Sequence, residues 1–133
     1  MITQLTEFTV PGCPPSYNAC FKVAFKLKQI YLSTEAKDFK KKVMVYCPPI
    51  KLDDTDLVIL EIDFISAWIC KNGKLKKKDC QNMDKLLVDA LFTKLGIDDS
   101  HLQKMTMQKI HSYTTDKTII RVFTTKHLPG EDA

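Results

Sequence analysis

The sequence predicts an α+β domain: a mixed β-sheet flanked by two helices. Three observations carry this. Residues 57–69 (LVILEIDFISAWI) are apolar at both phases of a strand, which marks a central, buried one. Two segments, 33–46 and 82–95, repeat their apolar residues at helical spacing. Four further stretches, 4–10, 21–30, 102–113 and 117–125, read as strands separated by turn residues.

At 133 residues the chain has the size of one domain and can bury a core without staples. Residues 1–126 are assigned to that domain, and 127–133 to a flexible tail that frays around Pro129 and Gly130. No apolar run is long enough to cross a bilayer, and the opening MITQLTEFTV lacks the features of a signal peptide. The expected location is soluble and cytoplasmic, without membrane contact. Cysteines stand at 13, 20, 47, 70 and 80, an odd number with no CxxC pair, as reduced thiols would be. His101, His111 and His127 lack ligand spacing to one another or to the cysteines, which argues against zinc.

The net charge is only +4, but the lysines cluster, at 37 and 40–42 and again at 71, 74 and 76–78. Clusters of this kind bind phosphates even on a near-neutral chain; the plainer reading is a solvated face. Arg121 is the only arginine, so contact with a nucleic-acid backbone is favoured over bidentate reading of guanine.

Taken in order, the first strand (4–10) is ended by Pro11, Gly12, Pro14 and Pro15. Asn18 follows in a loop, where a turn asparagine capping its own backbone is common. Residues 21–30 (FKVAFKLKQI) alternate apolar and basic, with Lys22, Lys26 and Lys28 on or near one face. That face suits a phosphate backbone, or guards a sheet edge. Ser33 is a good N-cap, Glu35 suits the first turn, and the helix stops at Cys47-Pro48-Pro49. Phe39, Val43 and Tyr46 or Cys47 form its apolar stripe; Lys37, Lys40, Lys41 and Lys42 cover other faces. Residues 50–56 are a polar link in which Asp53 and Asp54 are ordinary loop residues. Glu61 and Asp63, two apart, share one strand face, either lining a site or, the favoured reading, facing water.

The stretch Lys76–Ser100 organises the rest. Lys76, Lys77 and Lys78 deliver the chain to Asp79, and Asn82 is a candidate cap for the helix that follows. Met83, Leu86, Leu87, Ala90, Leu91 and Leu95 share one helix face, and Gly96 ends it. Asp98 and Asp99 come just after. Acids at the ends of a rigid element beside lysines suit a divalent cation and a phosphate. Asp79 and Asp99 are the best ligands, and Asp98 is a third ligand or a helper. Lys85, about two turns beyond Asp79, would neutralise charge on the phosphate or leaving oxygen. No nucleophilic serine or cysteine motif and no phosphate-cradling glycine loop is present.

Asp79-x-x-Asn82-x-x-Lys85, then Asp89-Ala90-Leu91, Gly96 and Asp98-Asp99-Ser100, resembles the RusA family of Holliday junction resolvases. Val10-Pro11-Gly12-x-Pro14-Pro15-Ser16-x-Asn18 and Tyr31-Leu32-Ser33-x-Glu35-Ala36-Lys37 look like that family's N-terminal segments. The resemblance runs from about residue 8 to residue 123. It implies a RusA-like fold and a magnesium-dependent (or manganese-dependent) endonuclease cutting four-way junctions in DNA recombination and repair. It also implies a homodimer, which two matched cuts require on separate grounds. It puts Asn18 near the DNA. With it, Lys26, Lys28, Lys37, Lys40, Lys41, Lys76, Lys77 and Lys78 become DNA contacts and Asp89 a helix support. The family's second aspartate is Gln81 here, which can reach a metal or its water but brings no charge. The alternative is therefore a junction-binding protein with weak or no cleavage. A lysine-rich RNA-binding module lacks the aromatic pattern it would need.

A helix over 82–95 is on the order of 20 Å long, so Asp79 and Asp99 start far apart. Either the chain doubles back after Gly96, or one subunit's acids complete the other's site.

Overall fold

The computed structural model describes residues 1–15, 21–24 and 29–130, and of residues 21–24, 29–31, 81 and 82 the backbone alone. The elements run β1 (Thr3–Pro11), β2 (Phe21–Ala24), β3 (Gln29–Leu32), α1 (Thr34–Tyr46), β4 (Leu57–Ser66), α2 (Cys80–Leu95), a 3-10 turn (Asp99–His101), β5 (Leu102–His111) and β6 (Lys117–Thr125). The main sheet has the order β1-β6-β4-β5, and β2 and β3 pair as a second, two-stranded sheet. Only β4 and β5 are parallel, so the sheet is mixed and the fold is the α+β single domain that the periodicities predict.

The alternation along β4 sorts the two faces. Val58, Leu60, Ile62 and Phe64 are buried under the helices with Ile120 and Val122 of β6 and Phe8 and Val10 of β1. From α1 come Ala36, Phe39 and Val43, and from α2 Met83, Leu87, Ala90 and Leu91. Each fully buried leucine or phenylalanine here stabilises the fold by roughly 1.5–3 kcal/mol. This is why the stripe read from spacing settles α2 in place.

Both helix ends have physical causes. The Ser33 hydroxyl accepts the Ala36 N–H at 3.2 Å, and Cys47, buried, closes the stripe in place of the half-exposed Tyr46. Pro48 and Pro49 then prevent continuation. Gly96 ends α2 in the left-handed region (φ 74°) and donates its N–H to Phe92 O.

Four readings of the sequence need correction, and one feature of the topology could not be read from it. Residues 21–30 are two short antiparallel strands, not one; an alternating run fits either, and only pairing decides. α2 starts at Cys80, so Asp79 is its N-cap and Asn82 lies inside its first turn. Asp84 therefore falls in the second turn, past the reach of first-turn dipole effects. β4 ends at Ser66, because Trp68 turns back and donates its backbone N–H to Ser66 O at 3.0 Å. β5 and β6 are joined by residues 112–116 but are not neighbours, since β4 lies between them; Ser112 N–H bonds to Ser66 O at 2.9 Å across the end of that strand. Finally, Asp63 is buried rather than facing water: it accepts from Arg121 (2.9 Å) and Gln108 (2.7 Å), while Arg121 also bonds Glu7 at 2.6 Å. The guanidinium supplies the charge partner that makes burial of that carboxylate tolerable. It also leaves the single arginine engaged within the sheet, away from the helices.

Candidate active site

The hairpin-like stretch after β4 decides where Asp79 stands. Ile69 bridges Leu75, Cys70 N–H donates to Lys74 O, and Lys76 N–H donates to Trp68 O at 2.8 Å. Asn72 and Gly73 make the turn, Gly73 with φ 85°. His111, the last residue of β5, pins this hairpin: its Nδ1 accepts the backbone N–H groups of both Trp68 (3.1 Å) and Ile69 (3.3 Å). The Trp68 indole N–H donates to Phe64 O at 2.8 Å. Lys71, Lys74, Lys76 and Lys77 are exposed along the hairpin and its exit, and Lys78 is half-buried.

At the N-terminal end of α2, Asp79 occupies the cap position, yet its side chain makes no capping bond and is exposed. Asp84, one turn on, keeps Oδ1 buried with no hydrogen-bond partner among the described residues. Burial raises its carboxyl above the ordinary 3.8. Cys80 reports the local field. Its thiol is pushed up chiefly by burial, is pulled down by Lys109, and is pushed up further by Asp79 and Asp84. Lys109 comes from β5, and its ammonium lies 5.0 Å from the centre of the Trp68 ring.

The C-terminal end is built differently. Asp98 caps the 3-10 turn, accepting the Ser100 N–H at 3.0 Å; the Ser100 hydroxyl first, and this N–H second, hold its carboxyl below the ordinary value. Asp99 is exposed on the same turn. It shares the wall of a cavity of about 640 Å³ with Asp84, Lys85, Asp89 and Lys40 over apolar Leu86 and Met105. Lys40 and Asp89 are ion-paired, tying α1 to α2. Lys37 and Lys41 stand exposed on α1.

Asp79 and Asp99 thus lie beyond opposite ends of a 16-residue helix, on the order of 24 Å of axis apart. Among the described residues of one chain, no group of three or more histidine, cysteine, aspartate or glutamate side chains is placed to hold a metal ion. The chain does not double back to close the gap. Asn18, Lys26 and Lys28, and the side chains of Gln81 and Asn82, lie outside the described residues.

Lys109 and His111 are the residues that sequence reasoning missed. A signal was present for the first: Met105, Met107 and Lys109 fall on one strand phase, and a lysine in an apolar phase must have somewhere to go. For His111 there was none, because its partners are backbone groups more than 40 residues away.

No helix among the described residues is long and apolar enough to cross a membrane. No curated protein matches the chain. The family model described as endodeoxyribonuclease RusA matches residues 11–123, from the last residue of β1 to Phe123 near the end of β6, and takes in α2 with the acids at both its ends. The chain belongs to the RusA endodeoxyribonuclease family.

Proposed function

We propose that the protein is a structure-specific endonuclease that resolves four-way DNA junctions by divalent-cation-dependent phosphodiester hydrolysis, acting as a homodimer. The observation that carries this reading is the placement of Asp79 and Asp99 at opposite ends of α2 in a chain of this family. One chain alone does not suit a metal, because its acids are split. Two copies would: the uncapped Asp79 carboxylate, with the orphaned Asp84 oxygen nearby, would be completed by Asp99 of a second copy. Asp98, committed to Ser100, is the helper rather than the ligand. Magnesium, or manganese, would activate water and offset charge on the phosphate. Lys85 would neutralise the phosphate or leaving oxygen, and the exposed lysines of α1 and the hairpin would follow the DNA backbone.

The experiment is cleavage of a nicked four-way junction in magnesium by the wild type, by Asp79→Asn, by Asp99→Asn and by a mixture of the two variants. Each variant alone is expected to bind but not cut. A mixed dimer keeps one intact pair of Asp79 and Asp99 if the pair is shared between copies, so mixing should restore single-strand nicking. Mixing without recovery would reject the shared site, and cutting in chelator would reject the metal. The second reading, a junction binder with weak cleavage, is favoured by Gln81 standing where the family has an aspartate. Gln81→Asp should then raise the cutting rate or lower the magnesium requirement.

A further inference from the structure

We infer that Lys109 is a DNA-phosphate-binding residue of the cutting site, held ready for its anion by Trp68. The inference rests on the endonuclease reading above and adds to it a residue outside the lysine clusters.

Lys40, Arg121 and Lys126 are each ion-paired to a carboxylate: Asp89, then Glu7 with Asp63, then Asp53 with Asp56. Among the described residues Lys109 makes no such pair. It is half-buried, unlike the hairpin lysines at 71, 74, 76 and 77. Its register partner on β4 is Phe64, a core residue, so its stem runs along the helix-covered face of the sheet. That direction carries it to the end of β4, where Trp68 begins the hairpin that leads into α2.

A cation at that end of a helix is out of place. The N-terminus of α2 carries the positive end of the helix dipole, which repels an ammonium and attracts an anion. The lysine is nevertheless held there by Trp68. The indole face lies 5.0 Å from Nζ, and the indole is itself held by its N–H bond to Phe64 O and by the His111 bond to the Trp68 backbone. Cation–π contact at a half-buried site stabilises the position. It does not discharge the ammonium. An anion landing beside Asp79 would meet both the lysine and the helix end, and the anion that the endonuclease reading brings there is a DNA phosphate. Because the side chain is already ordered, it loses less freedom on contact than a free surface lysine would.

The test is equilibrium binding of a four-way junction across a series of salt concentrations, for the wild type, Lys109→Met, Lys109→Gln and Lys109→Arg. Methionine keeps the apolar stem against Trp68, and glutamine provides a second uncharged variant should methionine perturb folding. Each removed phosphate contact lowers the slope of log affinity against log salt by about 0.9 for duplex arms. Both uncharged variants should show that loss and bind roughly tenfold more weakly at low salt, while arginine retains slope and affinity. Uncharged variants with the wild-type slope, measured on folded protein, overturn the inference while wild-type junction cutting keeps the endonuclease reading intact. A wild type that neither binds nor cuts junctions overturns that reading, and this inference with it.

Discussion

The two ends of α2 carry the same residue types and use them in opposite ways. At the C-terminal end one acid is occupied by the fold: Asp98 caps a turn while Asp99 stands exposed beside it, and Gly96 hands the chain over in a left-handed conformation. At the N-terminal end neither acid is. Asp79 stands in a capping position without capping, Asp84 hides an oxygen that nothing described satisfies, and Lys109, in no ion pair among the described residues, sits over Trp68. The difference teaches that acids next to a helix are not equivalent evidence of chemistry. A carboxylate with a local backbone partner is already accounted for. One without a partner is stabilised only by something that arrives.

The largest expected contrast is in cutting. Asp79→Asn should lower the junction cleavage rate by well over the roughly 10- to 100-fold that outer-shell changes cost, whereas Asp98→Asn, which can still accept from Ser100, should stay near tenfold. Asparagine caps as well as aspartate, so the melting temperature of Asp79→Asn should hardly move. Equal losses at both positions would erase the distinction. A second variant ignores the ends altogether: Leu91→Ala, in the fully buried middle of the helix, should cost about 2–5 kcal/mol in denaturant unfolding. A smaller cost would mean the helix is held by its ends. Third, Gly96→Ala meets no neighbouring atom within 4 Å, so its penalty is conformational alone, about 1–2 kcal/mol.

The smallest effect has a sign that separates the ends. The Asp84 carboxyl is raised by burial, so its ionised form opposes folding. Its contribution is most favourable below the ordinary value of 3.8 and is lost as pH rises through the higher folded value. Asp84→Asn should therefore raise the melting temperature at pH 7, with the gain fading towards pH 3. The Asp98 carboxyl is lowered by its bond to Ser100, so its contribution is present above 3.8 and is lost as pH falls through the lower folded value. Asp98→Asn should lower the melting temperature at pH 7, and the deficit should fade on acidification. Shifts of the same sign at both positions would contradict the contrast.

Much of this was legible in the residues. The stripe from Met83 to Leu95 is buried as its spacing requires, Ser33 caps α1, and the doubly apolar run from Leu57 is a strand with a neighbour on each side. Those features are local, and period and capping chemistry report them directly. What could not be read is relational. Alternation in 21–30 does not say where the strand folds onto itself. Asp63 looks like a surface acid until Arg121, 58 residues away, is laid beside it. His111 looks like a lone histidine until two backbone amides arrive. The sequence shows acids at 79 and 99 on either side of one helix, but a helix of fixed rise keeps them apart within a chain, and the residues offer no way to choose between a turn-back and a second copy.

The pairing of β1 with β6 reaches further than the site. Thr3 lies opposite Thr124, so β1 waits through more than a hundred residues of chain before its neighbour among the described strands exists. β6 also separates β1 from β4, so until it emerges those two strands cannot belong to one sheet. Closure over so long a loop is slow. Until β6 is in place, the sheet offered to α2 by the described strands is confined to the parallel pair of β4 and β5.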